Sequence, residues 1–441
     1  MLSIYRHMFA IPDLRKKILF TLAMFAVYRL GATIPVPGID LDAVRLFQAQ
    51  QETGGVYGLL NLFSGGALEN FSVFALGIMP YITASIIMQL LTVVIPKLQA
   101  LQDEGESGRK VITQWTRYLT VVLALIQSTG FTFLFHTGQF TNGIDLVPNY
   151  TPGRVTLIVL TMTAGTAFVM WLGELITQRG VGNGMSLLIF ISIISQFPFV
   201  FGQIWGQTAG GIGGTQGWMR FIIIMAVFLV MIVAIIYMDQ AQRRIPIQFA
   251  KRVRGRRVMG GQSTYIPLKV NTAGVIPVIF ATSILLFPAL IVTAIPSNAG
   301  WVQAIRNWVD LNLGAGGGAI SIWYVVFLFF LIIFFTYFYT AIQFDPQRQS
   351  EMIQRQGGFI PGVRPGRQTS AHLSHILNRI TLPGSIFLAV ISVLPAIFGL
   401  IWGIAISFSG VSILIVVGVA LETMKQIESQ LTMRNYEGIL T

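Results

Sequence analysis

Residues 71 to 95 read FSVFALGIMPYITASIIMQLLTVVI, 25 positions without a charged side chain. A helix crosses the hydrocarbon core of a bilayer in about 20 residues, so this stretch is long enough to span a membrane. Working outward, similar apolar runs occupy residues 18–36, 117–136, 154–174, 183–204, 218–238, 272–295, 320–342, 380–400 and 408–424, which predicts ten spans. The composition agrees: 54% of residues are hydrophobic and 10% charged, and the mean hydropathy of +0.70 lies outside the range of soluble domains. The expected fold class is an all-α polytopic membrane protein. The first run is too long for a removable signal and lacks a small-residue cleavage site, so it reads as a retained anchor, with the mature chain expected to begin near Met1.

The absence of cysteine excludes disulfides, thiolate metal sites and thiol nucleophiles. His7, His136, His372 and His375 form no metal-ligand pattern; the spacing of the last two suits a solvated loop helix. Basic residues crowd alternate loops. Placing Arg6, Arg15, Lys16 and Lys17 inside puts 24 of the 29 Lys and Arg on that face, leaving Arg29, Arg45, Arg154, Arg220 and Arg306 for the other. The crowded face reads as cytoplasmic, with both termini there, as an even number of spans requires.

Two segments resemble one another at an offset of 197 residues: Gly77-Ile78-Met79-Pro80-Tyr81-Ile82-Thr83-Ala84-Ser85 and Gly274-Val275-Ile276-Pro277-Val278-Ile279-Phe280-Ala281-Thr282. Two apolar helices can also resemble one another by chance; a true repeat would be inverted by the topology above and would divide the chain into two halves of five spans, residues 1–210 and 211–441. Proline within a span frees backbone groups that lipid cannot satisfy. Pro80 and Pro277 are therefore expected either to mark helices lining a cavity or to make plain kinks.

The run Asn61-Leu62-Phe63-Ser64-Gly65-Gly66-Ala67-Leu68, continued by Phe74-Ala75-Leu76-Gly77-Ile78-Met79-Pro80-Tyr81-Ile82-Thr83-Ala84-Ser85-Ile86, closely resembles the plug and second helix of the SecY family. Further matches follow in order: Ile34-Pro35-Val36-Pro37-Gly38, Gly105-Glu106-Ser107-Gly108-Arg109, Trp171-Leu172-Gly173-Glu174 with Gly180-Val181-Gly182-Asn183-Gly184, Pro267-Leu268-Lys269-Val270-Asn271, and Gly358-Phe359-Ile360-Pro361-Gly362-Val363-Arg364-Pro365-Gly366. The resemblance covers nearly the whole chain. Three departures stand out. Met185 replaces the family's usual isoleucine, Arg367 follows Arg-Pro-Gly where an acid is common, and the sequence stops shortly after Tyr436-Glu437-Gly438 without a basic tail.

The resemblance implies a ten-helix, clam-like channel of two inverted five-helix halves, TM1–TM5 and TM6–TM10. It would pass unfolded preproteins across the cytoplasmic (inner) membrane, or release transmembrane segments laterally into lipid. SecE would clasp it and SecG would bind peripherally. The SecA ATPase or the ribosome would drive substrates bearing signal sequences, and neither a cofactor nor catalysis is implied. Ile78, Ile82, Met185, Ile189, Ile279 and Ile415 match the family's pore ring, a hydrophobic constriction of the kind that gates by dewetting. Spacing itself says only that Ile78 and Ile82, and Met185 and Ile189, share helical faces.

Residues 57–70 are too short and polar to span, and read plainly as a loop with one helical turn. By resemblance, Leu59, Leu60, Asn61, Leu62, Phe63, Ser64, Gly65 and Gly66 would form a plug that closes the resting channel. Spans two and seven would be the lips of a lateral gate, with spans three and eight beside them, and Ser85, Gln89, Asn183 and Thr282 would lie at or near it. Gln89 and Asn183 are expected to make interhelix hydrogen bonds.

Between Asp239 and Asp310 there is no acidic residue, while Arg243, Arg244, Lys251, Arg252, Arg254, Arg256 and Arg257 crowd the loop 239–270. Sorting by charge and attraction to anionic lipid would suit such a loop. With the resemblance it is expected to dock ribosomal RNA or an acidic motor surface, together with Arg364 in the loop 343–379. Alternating Ile245, Ile247 and Phe249 hint at a protruding hairpin. A secondary transporter would want a carboxylate near mid-membrane, yet all 17 Asp and Glu fall in loops or at span ends. No Ser-His-Asp set, paired carboxylates or phosphate loop points to an enzyme.

Overall fold

The computed structural model describes residues 11–50, 61, 64–137, 144–148, 150–208, 210–211, 214–249, 252–254, 257–259, 263–294, 300–312, 321–402 and 410–440. The first half holds α1 (Pro12–Gly31), α2 (Leu41–Gln50), α3 (Met79–Val94), α4 (Pro96–Asp103), α5 (Glu106–His136), α6 (Pro152–Arg179) and α7 (Gly184–Gln207). The second holds α8 (Gly214–Gln240), α9 (Ile276–Ala294), α10 (Gly300–Asn312), α11 (Ile322–Gln343), α12 (Pro346–Arg355), α13 (Arg367–Trp402) and α14 (Gly410–Leu440). Each of the ten predicted runs overlaps one of these helices. Among the described residues, α5, α6, α7, α8, α11, α13 and α14 are long and apolar enough to cross a membrane. Helices α3 and α4, bent by 100° at Ile95, make an eighth if they form one broken span. The bend has a local cause: Pro96 disfavours helical backbone before it, and Ile95 is extended at φ −100°, ψ 111°. Of the other two runs, α1 carries Arg15, Lys16 and Lys17 in its first turns, and α9 is a shorter apolar helix.

Two expectations about the repeated segment are corrected. Phe71–Ile78 is a chain of turns, not the start of a helix, with Phe71 at φ 45° and Gly77 at φ 55°. Pro80 and Pro277 do not kink helix interiors. Each lies in the first turn of its helix, where the missing N–H has no partner to lose. Gly274, at φ 65°, repeats the left-handed turn of Gly77, so both copies build the same device: a glycine reverses the chain and a proline starts the helix. The prolines inside described helices are Pro198, Pro288, Pro383 and Pro395.

In the first half α1 packs on α6 and α7, and α5 lies between α3 and α6; in the second, α11 packs on α9 and α13, and α14 on α8 and α13. The halves meet on two sides, α7 against α14 and α5 against α9. The loops also contain a small sheet. β1 (Gln242–Phe249) pairs antiparallel with β4 (Ser263–Lys269), and β2 (Arg252–Arg254) pairs antiparallel with β3 (Arg257–Met259) as a hairpin. β5 (Gly358–Phe359) adds to the other edge of β1, giving the order β4-β1-β5 and joining the two long loops.

Candidate functional site

The six ring positions lie near the N-terminal ends of four helices. Ile78 caps α3 and Ile82 is in its first turn; Met185 and Ile189 lie in the first two turns of α7, Ile279 in the first of α9 and Ile415 in the second of α14. Ile78, Ile189, Ile279 and Ile415 are buried, Ile82 and Met185 half-buried, and all six belong to one hydrophobic cluster shared by both halves. Met185 is placed by a close backbone approach. Gly173 on α6 faces Gly184, and a methyl group on Gly184 would overlap the Gly173 carbonyl oxygen. Gly184 N also donates to Thr177 Oγ1 at 2.8 Å.

Of the residues assigned to a plug, Asn61, Ser64, Gly65 and Gly66 are described and buried, whereas Leu59, Leu60, Leu62 and Phe63 lie outside the described residues. The segment is closed by its own hydrogen bonds. Asn61 Nδ2 donates to Glu69 Oε2 at 2.8 Å and Asn61 Oδ1 accepts from Glu69 N at 3.1 Å, while Ser64 Oγ accepts from Leu68 N. Gly65 and Gly66 are left-handed, at φ 69° and 83°. Tyr28 and Arg29 on α1 reach the segment, which sequence reading missed: Arg29 had been counted only as an outer-face charge.

At the seam, Gln89 Oε1 accepts from the Tyr339 hydroxyl of α11 at 3.5 Å, an interhelix bond as expected. Asn183 does otherwise. Its Oδ1 accepts from Met185 N at 3.1 Å and so caps its own helix. Thr282 Oγ1 likewise donates within α9, to the Val278 and Ile279 carbonyls, and Ser85 is half-buried on α3. Below them, one terminal nitrogen of Arg348 on α12 lies 2.8 and 3.0 Å from the carboxylate oxygens of Asp103 on α4, joining the two halves.

The basic loops rest on a packed platform. Ile245 and Ile247 alternate inward from β1 onto Leu268, Ile353, Ile360 and Leu373, leaving Arg243 and Arg244 exposed on the same strand. The Arg244 guanidinium sits 4.9 Å from the Tyr265 ring centroid. Arg252, Arg254 and Arg257 are in the β2-β3 hairpin, while Lys251 and Arg256 lie outside the described residues. Arg364 is exposed in a loop fixed by Ser350 Oγ donating to the Gly366 carbonyl at 2.8 Å and Thr369 Oγ1 donating to the Arg364 carbonyl at 2.9 Å. His372 and His375 are exposed on the first turns of α13.

A family model described as SecY matches residues 72–424. The chain is 52% identical over 447 residues to the protein translocase subunit SecY of Streptomyces scabiei, covering all of both chains. To its counterpart in Corynebacterium glutamicum it is 50% identical, over 97% of each. Among solved structures, a protein-conducting channel aligns with a TM-score of 0.62 at 18% identity, over 94% of this chain and 92% of that one. A structure reported for the plug domain of the SecY protein aligns at 0.58 and 18% identity with the same coverage. Canine Sec61 in a ribosome-channel complex aligns at 0.56 and 17% identity, again over 94% and 92%. A match of the family model to most of the chain, with relatives half identical from end to end, settles the assignment: the chain belongs to the SecY family.

Proposed function

We propose that the chain is a protein-conducting channel whose constriction is the ring of Ile78, Ile82, Met185, Ile189, Ile279 and Ile415. The observation that carries this reading is the convergence of four helix starts, two from each half, on one apolar cluster. Flexible aliphatic side chains offer a passing polypeptide no fixed partner, and an apolar constriction resists wetting by ions. Residues 57–70 act as the plug, and the halves 1–210 and 211–441 part along α3 and α5 against α9 and α11 to let a transmembrane segment into lipid. Ser85, Gln89, Asn183 and Thr282 line or support that gate.

The chain sits in the cytoplasmic (inner) membrane with both termini cytoplasmic, which the crowding of basic residues onto one face supports. SecE and SecG complete the channel. The β2-β3 hairpin and the Arg364 loop dock the ribosome, through its RNA phosphates, or the SecA ATPase. The name shared by the relatives supports a translocase role, and the ribosome-bound Sec61 supports the ribosome as partner.

Replacing Ile82 and Ile279 by Ser tests the ring. Loss of apolar surface lowers the barrier to wetting, so the resting ion conductance of reconstituted channels should rise and selectivity for intact signal sequences should relax. An unchanged resting leak would overturn the ring assignment.

A further inference from the structure

Segment 61–70 is held by two side chains of α1, themselves tied to two serines of α7, that no motif marks. Tyr28 on α1 is 1% exposed. Its hydroxyl donates to the Ser64 carbonyl oxygen at 3.2 Å and shares a 2.7 Å hydrogen bond with Ser192 Oγ on α7. The next residue, Arg29, donates from one terminal nitrogen to the Gly65 carbonyl oxygen at 2.8 Å and to Ser195 Oγ at 2.9 Å. Ser192 and Ser195 lie three positions apart and therefore on one face of α7. Neighbouring residues of α1 thus tie two consecutive carbonyls of the segment to two serines of α7. The fit is close, since a Cβ on Gly65 would stand 3.0 Å from Ser192 Cα.

Buried carbonyls are costly without donors, and a charged donor makes the stronger bond. The arrangement is also reversible. If the segment leaves, Tyr28 keeps Ser192 and Arg29 keeps Ser195, so the donors stay partnered while only the segment's carbonyls are released. A plain orientation charge would need none of these contacts.

We propose that Tyr28 and Arg29, with Ser192 and Ser195, form a latch that positions segment 61–70 in the closed channel and sets how readily it departs. They are positioning residues, and the inference rests on the reading of this segment as the plug. Tyr28→Phe keeps the ring stacked on Phe74 at 5.8 Å and removes only the hydroxyl. Arg29→Gln removes the charge, and Arg29→Lys keeps it on a differently shaped, more strongly hydrated head group.

The test reconstitutes the channel with its partner subunits in planar bilayers and reads the resting conductance, alongside export of a precursor with a defective signal sequence. Tyr28→Phe and Arg29→Gln should each raise the leak roughly three- to tenfold and increase export of the defective precursor, at normal protein levels. Arg29→Lys should fall between Gln and the natural residue. The plug reading is tested separately by Gly65→Cys with Ser192→Cys, whose Cβ atoms would start 3.1 Å apart and must move out by about half an ångström to reach the roughly 3.5–4.5 Å of disulfides. Oxidation should block export and reduction should restore it. If the cross-link blocks export while the Tyr28 and Arg29 variants keep the normal leak, the latch is overturned and the plug stands. If the cross-linked channel exports normally, the plug reading itself falls and the latch with it.

Discussion

Helices α6 and α7 meet through Gly173 and Gly184 with their backbones touching, whereas α3 and α11 meet through Gln89 and Tyr339 at 3.5 Å, the outer limit of a hydrogen bond. The same contrast recurs elsewhere. Inside the second half, a Cβ on Gly410 would overlap the Ile391 carbonyl of α13, and one on Gly384 would lie 2.6 Å from the Val270 carbonyl. Across the seam, α4 and α12 are joined by a solvent-exposed ion pair. Backbone contacts of the first kind have no spare volume and resist sliding; side-chain contacts of the second kind break singly at small cost. Two stiff bodies joined along a soft line are what the proposed sideways opening would use.

Stapling the soft line should have the largest effect. With no native cysteine, Gln89→Cys and Tyr339→Cys can be joined by a short cleavable thiol cross-linker without side reactions. Export should stop on linking and resume on cleavage. Full transport through linked channels would mean that α3 and α11 need not part.

Next comes the stiff side. Gly184→Val places a branched side chain against the Gly173 carbonyl, an overpacking that costs about 1–3 kcal/mol. Reduced accumulation and faster proteolysis of the chain in membranes are expected, whereas Gln89→Ala should alter neither. Equal behaviour of the two variants would erase the distinction between body and seam.

Arg364 sharpens the comparison from outside the membrane, because its loop is as firmly pinned as the seam is loose. A planar guanidinium presented rigidly can make forked bonds that an ammonium cannot. Arg364→Lys and Arg364→Glu should both insert normally and both impair motor-driven export, Glu more. Normal export by Arg364→Lys, measured with a secreted reporter, would leave the residue as an orientation charge and pass docking to Arg243 to Arg257.

The apolar runs made a helix legible in each of ten places, because ~20 mostly apolar residues have few other uses. The device at Gly77 and Gly274 was half legible. The repeat was visible, but in a uniformly apolar run nothing in the periodicity separates a proline at a helix start from one in its interior. Asn183 before Gly184 had the signature of an N-cap and was read instead as a bridge between helices. Arg29 could not have been read correctly, since its partners are a carbonyl 36 residues away and a serine 166 away. The platform under Arg243 and Arg244 was legible only as alternation, because β5 arrives from the other long loop, more than a hundred residues on.

The smallest expected effect tests whether the seam's ion pair contributes at all. Asp103 and Arg348 keep 49% and 55% of their side-chain surface in solvent, and an exposed pair of this kind is worth roughly 0.2–1 kcal/mol. Because it joins α4 to α12, the pair exists only while the two halves are closed, so its whole worth biases the closed state. Asp103→Asn or Arg348→Gln should therefore raise the open fraction by no more than about fivefold, read as resting conductance or as export with a weakened signal sequence. The doubly exchanged Asp103→Arg, Arg348→Asp should regain most of the loss, and the difference between natural and single-variant channels should shrink between low and high salt as screening shortens the reach of the charges. If the exchange restores nothing and salt leaves the difference unchanged, the pair is incidental. Closure would then rest on α5 against α9 and the bond between Gln89 and Tyr339.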